Sequence, residues 1–422
     1  MAPFTGNPSN SQMVALAIVP KVAGVFSMMG SGYIVYDVLR RNNHRKRSTS
    51  SYHRILLGLS LNDIIMSFGL FTSTWPMPVD TPSVWGARGN TATCEAIGFL
   101  EQAGVAAVLY SGSLSTYYLL KIRYGWTDAY LNRVEVWFHA IPIVFALATM
   151  IAGIPLKLYN SGIFDCWIAP LPLNCNQSWR HPDPSDPAFV PCERGDNASI
   201  YQWAFDIIPK FSSIFLVTIN MVLTYLEVRR RETKVVRYSV NNNSNNNNKS
   251  LRLSQRMARQ SYLYVGALYV TYIPVAMTRM TQLIAGYTFY GMILTIAITI
   301  PMQGCWNLLV YLRPRFLLIR DQQRTQRERS VQRIEGGGGK SPEASATTSS
   351  DNSGVMATGL VPLKSDIVSA VSEAIRKGEL DEEEYDEEAE YFDEQATNAG
   401  AKQTEEERHQ VSVEAERPTT TG

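Results

Sequence analysis

The sequence predicts an all-α membrane protein: a bundle of seven transmembrane helices, a short amphipathic eighth helix and a disordered cytoplasmic tail. Three observations predict this fold. There are seven apolar stretches of membrane-spanning length, basic residues concentrate in alternate connections, and cysteines concentrate in the other connections. The whole-chain composition conceals this pattern, because a net charge of +1 and a hydrophobic content of 45% would suit a large soluble protein.

The apolar stretches all precede residue 313, whereas most of the acidic residues follow it. A bilayer core requires about 20 apolar residues per helix. We therefore predict spans at about 13–39, 55–75, 95–120, 136–158, 203–227, 261–283 and 287–312. Residues 1–12 are polar and lack a basic stretch, so we expect a short extracellular N-terminus and no cleavable signal peptide.

Lys and Arg placement predicts the orientation of the bundle. They cluster after the first, fifth and seventh predicted spans, within residues 40–54, 229–237 and 313–327. Because basic residues favour the cytoplasmic side, we expect a multi-pass protein of the plasma membrane with its N-terminus outside and its tail in the cytoplasm.

The cysteines and glycosylation sequons agree with that orientation. Cys94, Cys166, Cys175 and Cys192 fall on the predicted outer side, where disulfides form, and their number allows three pairings between which the sequence does not choose. Sequons in the second outer loop predict N-glycosylation at Asn176 and Asn197. The fifth cysteine, Cys305, lies in the seventh predicted span and is interpreted as a packing residue.

The polar regions predict flexible cytoplasmic segments. An Asn-rich tract lies in the third cytoplasmic loop, about 229–258. Residues 313–333 are basic and compatible with an amphipathic eighth helix. Residues 334–422 are first Ser/Thr-rich and then acidic, which predicts a disordered tail.

Two polar residues inside the predicted spans point to function. Asp63 lies mid-helix in a Leu-x-Leu-x-Asp sequence, and a carboxylate at membrane depth is costly, so we expect it to face the bundle interior. Asn307 lies in the seventh span, four residues before Tyr311 and nine before Phe316. Asp63 could also serve only to hydrogen-bond neighbouring helices.

These two patterns together resemble the second and seventh helices of G-protein-coupled receptors. The resemblance implies that Asp63 and Asn307 share a water-filled, sometimes sodium-binding cluster, with Tyr311 part of the same switch. It implies that Arg123 and Tyr124 contact the G protein, although this pair also suits a basic anchor at a helix end.

The sixth predicted span contains Thr-Tyr-Ile-Pro, ending at Pro274. A proline inside a helix removes a backbone hydrogen bond and kinks it. By the same resemblance, Tyr272 is the toggle residue and Pro274 is the pivot about which the cytoplasmic end swings outward.

Departures from the rhodopsin-like class favour another branch. Ile122 replaces the acid that usually precedes the arginine, and Asn307 is followed by leucine instead of proline. Cys166-Trp167 and Gln303-Gly304 resemble cyclic-AMP-receptor-like and secretin-like receptors of unicellular eukaryotes. That resemblance implies the pairs Cys94–Cys166 and Cys175–Cys192, and the short N-terminus argues against a hormone receptor with a folded ectodomain.

A ligand pocket is expected near the outer ends of the helices. Its candidate residues are polar and of mixed charge, which favours neither a phosphate nor an amine: Glu101, Gln102, Asp206, Lys210, Arg279 and Gln282. Asp206 and Lys210 are one turn apart and could instead pair with each other.

The function expected from the resemblance is that of a receptor, not an enzyme, with no cofactor and no nucleic-acid partner. Its partners would be an unidentified small-molecule or peptide ligand, a heterotrimeric G protein, and an arrestin-like protein and receptor kinase acting on the Ser/Thr-rich stretch 341–353. A retinal protein would need a lysine in the seventh span, and residues 287–312 contain none. A membrane transporter or channel remains the alternative.

Overall fold

The structure is a computed structural model and describes residues 8–44, 50–82, 84–173, 175, 190–239, 245–317 and 320. In the described part the chain forms seven helical spans, which confirms the predicted fold class. The first, second, fourth and sixth spans are single helices: Asn10–His44, Ser51–Thr72, Asp128–Gly153 and Asn245–Ala285.

The third, fifth and seventh spans are interrupted. The third consists of Thr91–Gln102 and Gly104–Arg123, joined at Ala103. The fifth begins as Ala198–Gln202, passes through a π-helical turn at Trp203–Ile207 and continues as Ile208–Ser239. The seventh comprises Tyr290–Thr299 and Gln303–Leu317, bent by 47°. Pro301 lies at that bend, and its missing N–H accounts for the break.

Five described helices are long and apolar enough to cross a membrane, or six if the bent pair of the seventh span counts as one. The sixth span is not among them. Its central part carries Tyr262, Tyr264, Tyr269 and Tyr272, which lower its hydropathy while most of its length remains helical. The span is amphipathic: Tyr264 and Tyr272 are buried in the bundle, whereas Val270, Ile273 and Met277 are exposed on its outside.

Large apolar side chains are exposed on the outside of the bundle, as expected for helices that face lipid. They occur on the first, second, fourth, fifth, sixth and seventh spans, for example at Met29, Phe68, Trp137, Phe215, Met277 and Leu309. The third span differs, because most of its residues from Gly104 to Ile122 are buried. It therefore lies at the centre of the bundle.

Small residues bring the first and seventh spans into close contact. A Cβ atom on Gly304 would lie 2.2 Å from Ser31 Oγ, and one on Gly30 would lie 2.8 Å from the Gly304 carbonyl oxygen. The Gly304 N–H donates to Ser27 Oγ at 3.0 Å. Such glycine-lined contacts let two membrane helices approach backbone to backbone.

The connection between the fourth and fifth spans, predicted to be the second outer loop, contains a short antiparallel hairpin, β1 (Tyr159–Ser161) and β2 (Cys166–Ile168). A disulfide joins Cys94 of the third span to Cys166, and a second joins Cys175 to Cys192. Both pairings are those implied by the family resemblance. The first fixes the hairpin to the outer end of the third span.

Several boundaries differ from those expected. The fourth span begins at Asp128 and ends at Gly153 instead of residue 158, because a turn containing Pro155 and the positive-φ residue Lys157 follows. The region expected to be an Asn-rich loop, about 229–258, is helical to Ser239 and again from Asn245. Helix-favouring arginines flank the Asn-rich tract, but asparagine itself has weak helix propensity, so composition does not explain the helix at Asn245–Asn248.

The chain divides into two units, the second beginning at Leu312. In that second unit, the described residues to Leu317 are helical. The rest of the expected eighth helix, apart from Arg320, and the expected tail, 334–422, lie outside the described residues.

Candidate functional site

Asp63 and Asn307 meet in the centre of the bundle. Asn307 Nδ2 donates to Asp63 Oδ2 at 2.8 Å, and the two residues are 5% and 1% exposed. The other carboxylate oxygen, Asp63 Oδ1, and Ser60 Oγ, one turn earlier in the same helix, are buried without a hydrogen-bond partner among the described residues. An uncompensated oxygen pair of this kind suits a water molecule or a hard cation.

Tyr272 connects the sixth span to the seventh. Its hydroxyl donates to Gln303 Oε1 at 2.8 Å, and both residues are buried. Tyr272 also lies beneath Lys210 of the fifth span, whose Nζ is 5.5 Å from the ring centroid. Pro274 follows two residues later within the helix, so the proline lies next to a point at which three spans meet.

A narrow cavity lies between these residues and the half of the bundle that is predicted to be cytoplasmic. Side chains of the second, third, fifth, sixth and seventh spans line it, with polar atoms from Ser111, Ser115, Ser261, Tyr264, Gln303 and Asn307. The cavity surface is mainly apolar, and because five spans line it, their side chains have room to rearrange there.

Arg123 and Tyr124 end the third span and are exposed, with the guanidinium 5.7 Å from the tyrosine ring centroid. Ile122, at the position of the missing acid, is buried, and its carbonyl oxygen accepts a hydrogen bond from Arg231 Nη2 at 2.5 Å. The third and fifth spans are therefore joined here through the backbone.

The sixth span is attached to the second near its predicted cytoplasmic end. The hydroxyls of Tyr52 and Tyr264 are 3.1 Å apart, and Gln260 Nε2 donates to Tyr52 Oη at 3.1 Å. All three side chains are buried. No sequence pattern indicates this contact, because it depends on which helices are neighbours.

Tyr311 is buried, and its hydroxyl donates to Asp37 of the first span. The sequence pattern placed Tyr311 in one switch with Asp63 and Asn307. Its recorded hydrogen bond instead links the seventh span to the first.

An ion pair between the second and fourth spans was not expected from the sequence. Arg54 donates through Nε and Nη2 to the Glu135 carboxylate, which also accepts from Ser51 Oγ at 2.7 Å. His139 Nε2 lies 3.6 Å from the same carboxylate, and its Nδ1 is 3.0 Å from Tyr110 Oη. In the sequence, Arg54 belongs to the basic cluster at 40–54, which was used only to predict the orientation of the bundle. In the structure it forms an ion pair with Glu135 of the fourth span.

The candidate ligand residues largely engage one another. Lys210 Nζ is 2.5 Å from Asp206 Oδ1, so these two form the pair left open by the sequence. Arg279 Nη1 donates to Gln282 Oε1 at 3.0 Å.

The side chain of Gln102 also forms hydrogen bonds within the protein. It accepts from Trp167 Nε1 at 2.9 Å, and its Nε2 donates to Thr149 Oγ1 at 3.2 Å. It therefore fastens the outer hairpin to the third and fourth spans.

Glu101 is buried and lies close enough to a residue that sequence reasoning missed, Asp165, to influence its pKa. Burial raises the pKa of Asp165 to about 6, against the lowering effects of the Glu101 hydrogen bond and of Arg279. Asp165 lies at the turn of the outer hairpin, and a single acidic residue in a loop carries no sequence signal.

Of the two glycosylation candidates, Asn197 is exposed directly before the fifth span, whereas Asn176 lies outside the described residues.

Comparison with known proteins identifies the fold. No protein-family model and no curated protein sequence matches the chain. A crystal structure of squid rhodopsin matches with a TM-score of 0.50 and 13% identity, covering 73% of this chain and 83% of the rhodopsin chain. The protein therefore shares the seven-helix membrane fold of squid rhodopsin, a G-protein-coupled receptor.

Proposed function

We propose that this protein is a G-protein-coupled receptor of the plasma membrane that binds an extracellular ligand and activates a heterotrimeric G protein. The observation that carries the proposal is the buried hydrogen bond from Asn307 to Asp63. Intramembrane carboxylates are costly and mark functional sites, and here the carboxylate joins the second span to the bent seventh span.

The proposed switch is a change in how the sixth span packs. Tyr272, two residues before Pro274, bonds Gln303 of the seventh span, so a change at the outer end can be transmitted through this contact. Outward movement of the cytoplasmic half would separate Tyr264 and Gln260 from Tyr52. A ligand drives this change only by its differential affinity for the two packings.

The G protein is proposed to contact Arg123 and Tyr124. Both are exposed at the end of the third span. Among the described residues, the recorded contact of the Arg123 guanidinium is its stacking on the Tyr124 ring. Because Ile122 replaces the acid, no ion pair within this motif can hold the resting packing at the end of the third span. We assign that role to the hydrogen bond from Arg231 to the Ile122 carbonyl and to the contact between Tyr52 and Tyr264.

A sodium ion at the core is consistent with the donor atoms. Asp63 Oδ1 and Ser60 Oγ are buried oxygens without partners in the described part of the chain, and hard cations prefer oxygen ligands. When bound, such an ion would compensate the Asp63 charge. Asn307 would still orient the carboxylate from the other side.

The remaining assignments follow the family resemblance. The N-terminus is proposed to lie outside and the tail inside, with glycans on Asn176 and Asn197 and phosphorylation of 341–353 by a receptor kinase that recruits an arrestin-like protein. Gln303-Gly304 and Cys166-Trp167 support placement near the cyclic-AMP-receptor-like branch.

The test is ligand-stimulated nucleotide exchange on co-expressed G-protein α-subunits, with a compound and peptide library as the probe. We expect at least one ligand to stimulate exchange in the wild type, and Arg123→Ala and Tyr311→Ala to abolish most of it. Arg133→Ala is the matched control, because Arg133 is also exposed and stacks on Tyr130 at 5.7 Å.

Unchanged exchange in the Arg123→Ala and Tyr311→Ala variants would refute the switch assignment. Ligand-driven solute flux in purified vesicles, with no exchange on any α-subunit, would instead identify a transporter or channel.

A further inference from the structure

The ammonium group of Lys210 contacts side chains of three elements. Its Nζ lies 2.5 Å from Asp206 Oδ1, one turn earlier in the fifth span. It also lies 5.9 Å from the ring centroid of Trp167 in β2 and 5.5 Å from the ring centroid of Tyr272 in the sixth span. Both distances are within the range of a cation–π interaction. One charge therefore joins the outer hairpin to the fifth and sixth spans.

The backbone of the fifth span is irregular where it carries this ion pair. Asp206 belongs to the π-helical turn Trp203–Ile207, a feature that occurs often at functional sites. Pro209 has no N–H and cannot donate to the Phe205 carbonyl oxygen four residues earlier. That oxygen accepts a hydrogen bond from Gln102 Nε2 of the third span at 3.2 Å. The irregular turn is therefore fastened to a neighbouring helix.

The two aromatic rings beside the ammonium are each held by a hydrogen bond of their own. Trp167 Nε1 donates to Gln102 Oε1 at 2.9 Å. The Tyr272 hydroxyl donates to Gln303 Oε1 at 2.8 Å, and both of these residues are buried. Because the polar atoms at the ring edges are satisfied in this way, the ring faces remain available to the cation.

Low exposure to solvent strengthens the contacts of this ammonium. The side chains of Lys210 and Asp206 are 12% and 7% exposed. A cation–π contact contributes more when it is desolvated than when it is exposed. An ion pair between residues one turn apart is common on any helix, whereas rings from two other elements are not part of such a pair.

We propose that Lys210 is a positioning residue that couples the outer hairpin to the sixth span and favours the resting packing of that span. This role rests on the proposed function, because Lys210 acts through Tyr272, the proposed toggle residue. Asp206 and Trp167 hold the ammonium, and the ammonium holds the Tyr272 ring. Tyr272 in turn bonds Gln303, which borders the central cavity in the bent seventh span.

A simpler role for Lys210 would be to neutralise Asp206, and the two roles have different requirements. Neutralisation needs only a positive charge near the carboxylate, so the resting packing should return when both charges are removed together. Positioning needs the ammonium over the two rings. Removing both charges should then release the sixth span as much as removing the ammonium alone.

The first experiment measures the distance between spin labels at Arg133→Cys and Arg259→Cys in a Cys305→Ala background, without a G protein. Both labelled positions are exposed, and their separation reports the position of the sixth span relative to the fourth. Lys210→Met keeps an unbranched side chain and removes the ammonium. We expect the ratio of the longer to the shorter distance population to rise by about threefold or more, the size expected of a cation–π contact.

The variant that separates the two roles combines Lys210→Met with Asp206→Asn, which leaves neither partner of the ion pair charged. It should show the same rise, and it tests the inference even if Lys210→Met alone does not fold. Lys21→Met is the matched control, because Lys21 is also buried and its Nζ lies 4.5 Å from the Trp75 ring centroid. A wild-type distribution in the combined variant, or an equal rise in Lys21→Met, would overturn the inference.

The part played by the outer hairpin is tested at Trp167. Trp167→Phe and Trp167→Leu both lose the hydrogen bond to Gln102, but only the leucine variant loses an aromatic face. The longer population should therefore be larger in Trp167→Leu than in Trp167→Phe. That difference should vanish when Lys210→Met is also present. A difference that persists without the ammonium would refute coupling through Lys210.

The second experiment measures basal nucleotide exchange on co-expressed α-subunits. Exchange should rise in Lys210→Met and in its combination with Asp206→Asn, in parallel with the longer distance population. If the distances change as expected but no α-subunit exchanges nucleotide in any variant, Lys210 still positions the sixth span and the proposed receptor function fails. Wild-type exchange that stays unaltered in both variants while the distances change would refute the link between Lys210 and signalling.

Discussion

Asn307 of the seventh span donates a hydrogen bond to Asp63 of the second span at 2.8 Å, and both side chains are buried. The two residues are 244 positions apart in the chain. Their contact joins a costly intramembrane carboxylate to a helix that bends by 47°. Signalling and stability are both expected to depend on it.

Removing this amide should destabilise the folded bundle. Asn307→Ala leaves a buried carboxylate without its recorded donor, which should cost about 1–3 kcal/mol and lower the midpoint of thermal unfolding in detergent. Asn62→Ala is the control, because the one hydrogen bond recorded for Asn62 Nδ2 within the described part of the chain goes to the Gly58 carbonyl of its own helix. Equal loss in both variants would show that the Asp63 contact has no special energetic role.

Close packing of the first and seventh spans should make Gly304 intolerant of any side chain. Gly304→Ala would place Cβ 2.2 Å from Ser31 Oγ and 2.6 Å from Ser27 Oγ, so the helices must separate. We expect a loss of about 1–3 kcal/mol, measured by thermal unfolding. Gly32→Ala, whose Cβ would meet nothing within 4 Å, should be neutral or slightly stabilising. A neutral Gly304→Ala would contradict the packing described.

The Arg54–Glu135 pair should couple the second and fourth spans. Each of Arg54→Gln and Glu135→Gln leaves a partner charge without its strongest bond, at an expected cost of about 1–3 kcal/mol. The double variant should cost less than the sum of the two, and a double-mutant cycle on unfolding measures that difference. Additive costs would mean that the two side chains act independently.

The contacts of Tyr52 should restrain the sixth span in its resting position. Tyr264→Phe removes the hydroxyl that lies 3.1 Å from Tyr52 Oη, and basal nucleotide exchange should rise about fivefold for each kcal/mol of lost restraint. Tyr225→Phe, on an exposed face of the fifth span, should leave basal exchange unchanged. A fall in basal exchange in Tyr264→Phe would reverse the assigned role.

Features that depend on local composition could be predicted from the sequence. The length of the apolar stretches predicted seven spans, since lipid accepts only helices that satisfy their own backbone groups. Asp63 and Asn307 were recognisable because polar residues are rare at membrane depth. The structure brings them together as the pattern indicated.

Features that depend on tertiary neighbours could not be predicted. Arg54 resembles any other cytoplasmic basic residue until the fourth span brings Glu135 beside it. Asp165 is an ordinary loop acid until a disulfide and a hairpin carry it to Glu101. The start of the sixth-span helix at Asn245 was not predicted, because asparagine has weak helix propensity and an Asn-rich tract is typical of a loop.

Outward movement of the sixth span on G-protein binding is the central claim, and an electron-spin distance measurement tests it most directly. Labels at Arg133→Cys and Arg259→Cys, both exposed in the wild type, report the separation of the fourth and sixth spans in a Cys305→Ala background. With a nucleotide-free G protein that supports exchange, we expect a new population at longer distance, reduced by Arg123→Ala and retained with Arg123→Lys. An unchanged distance distribution while that G protein exchanges nucleotide would contradict the account.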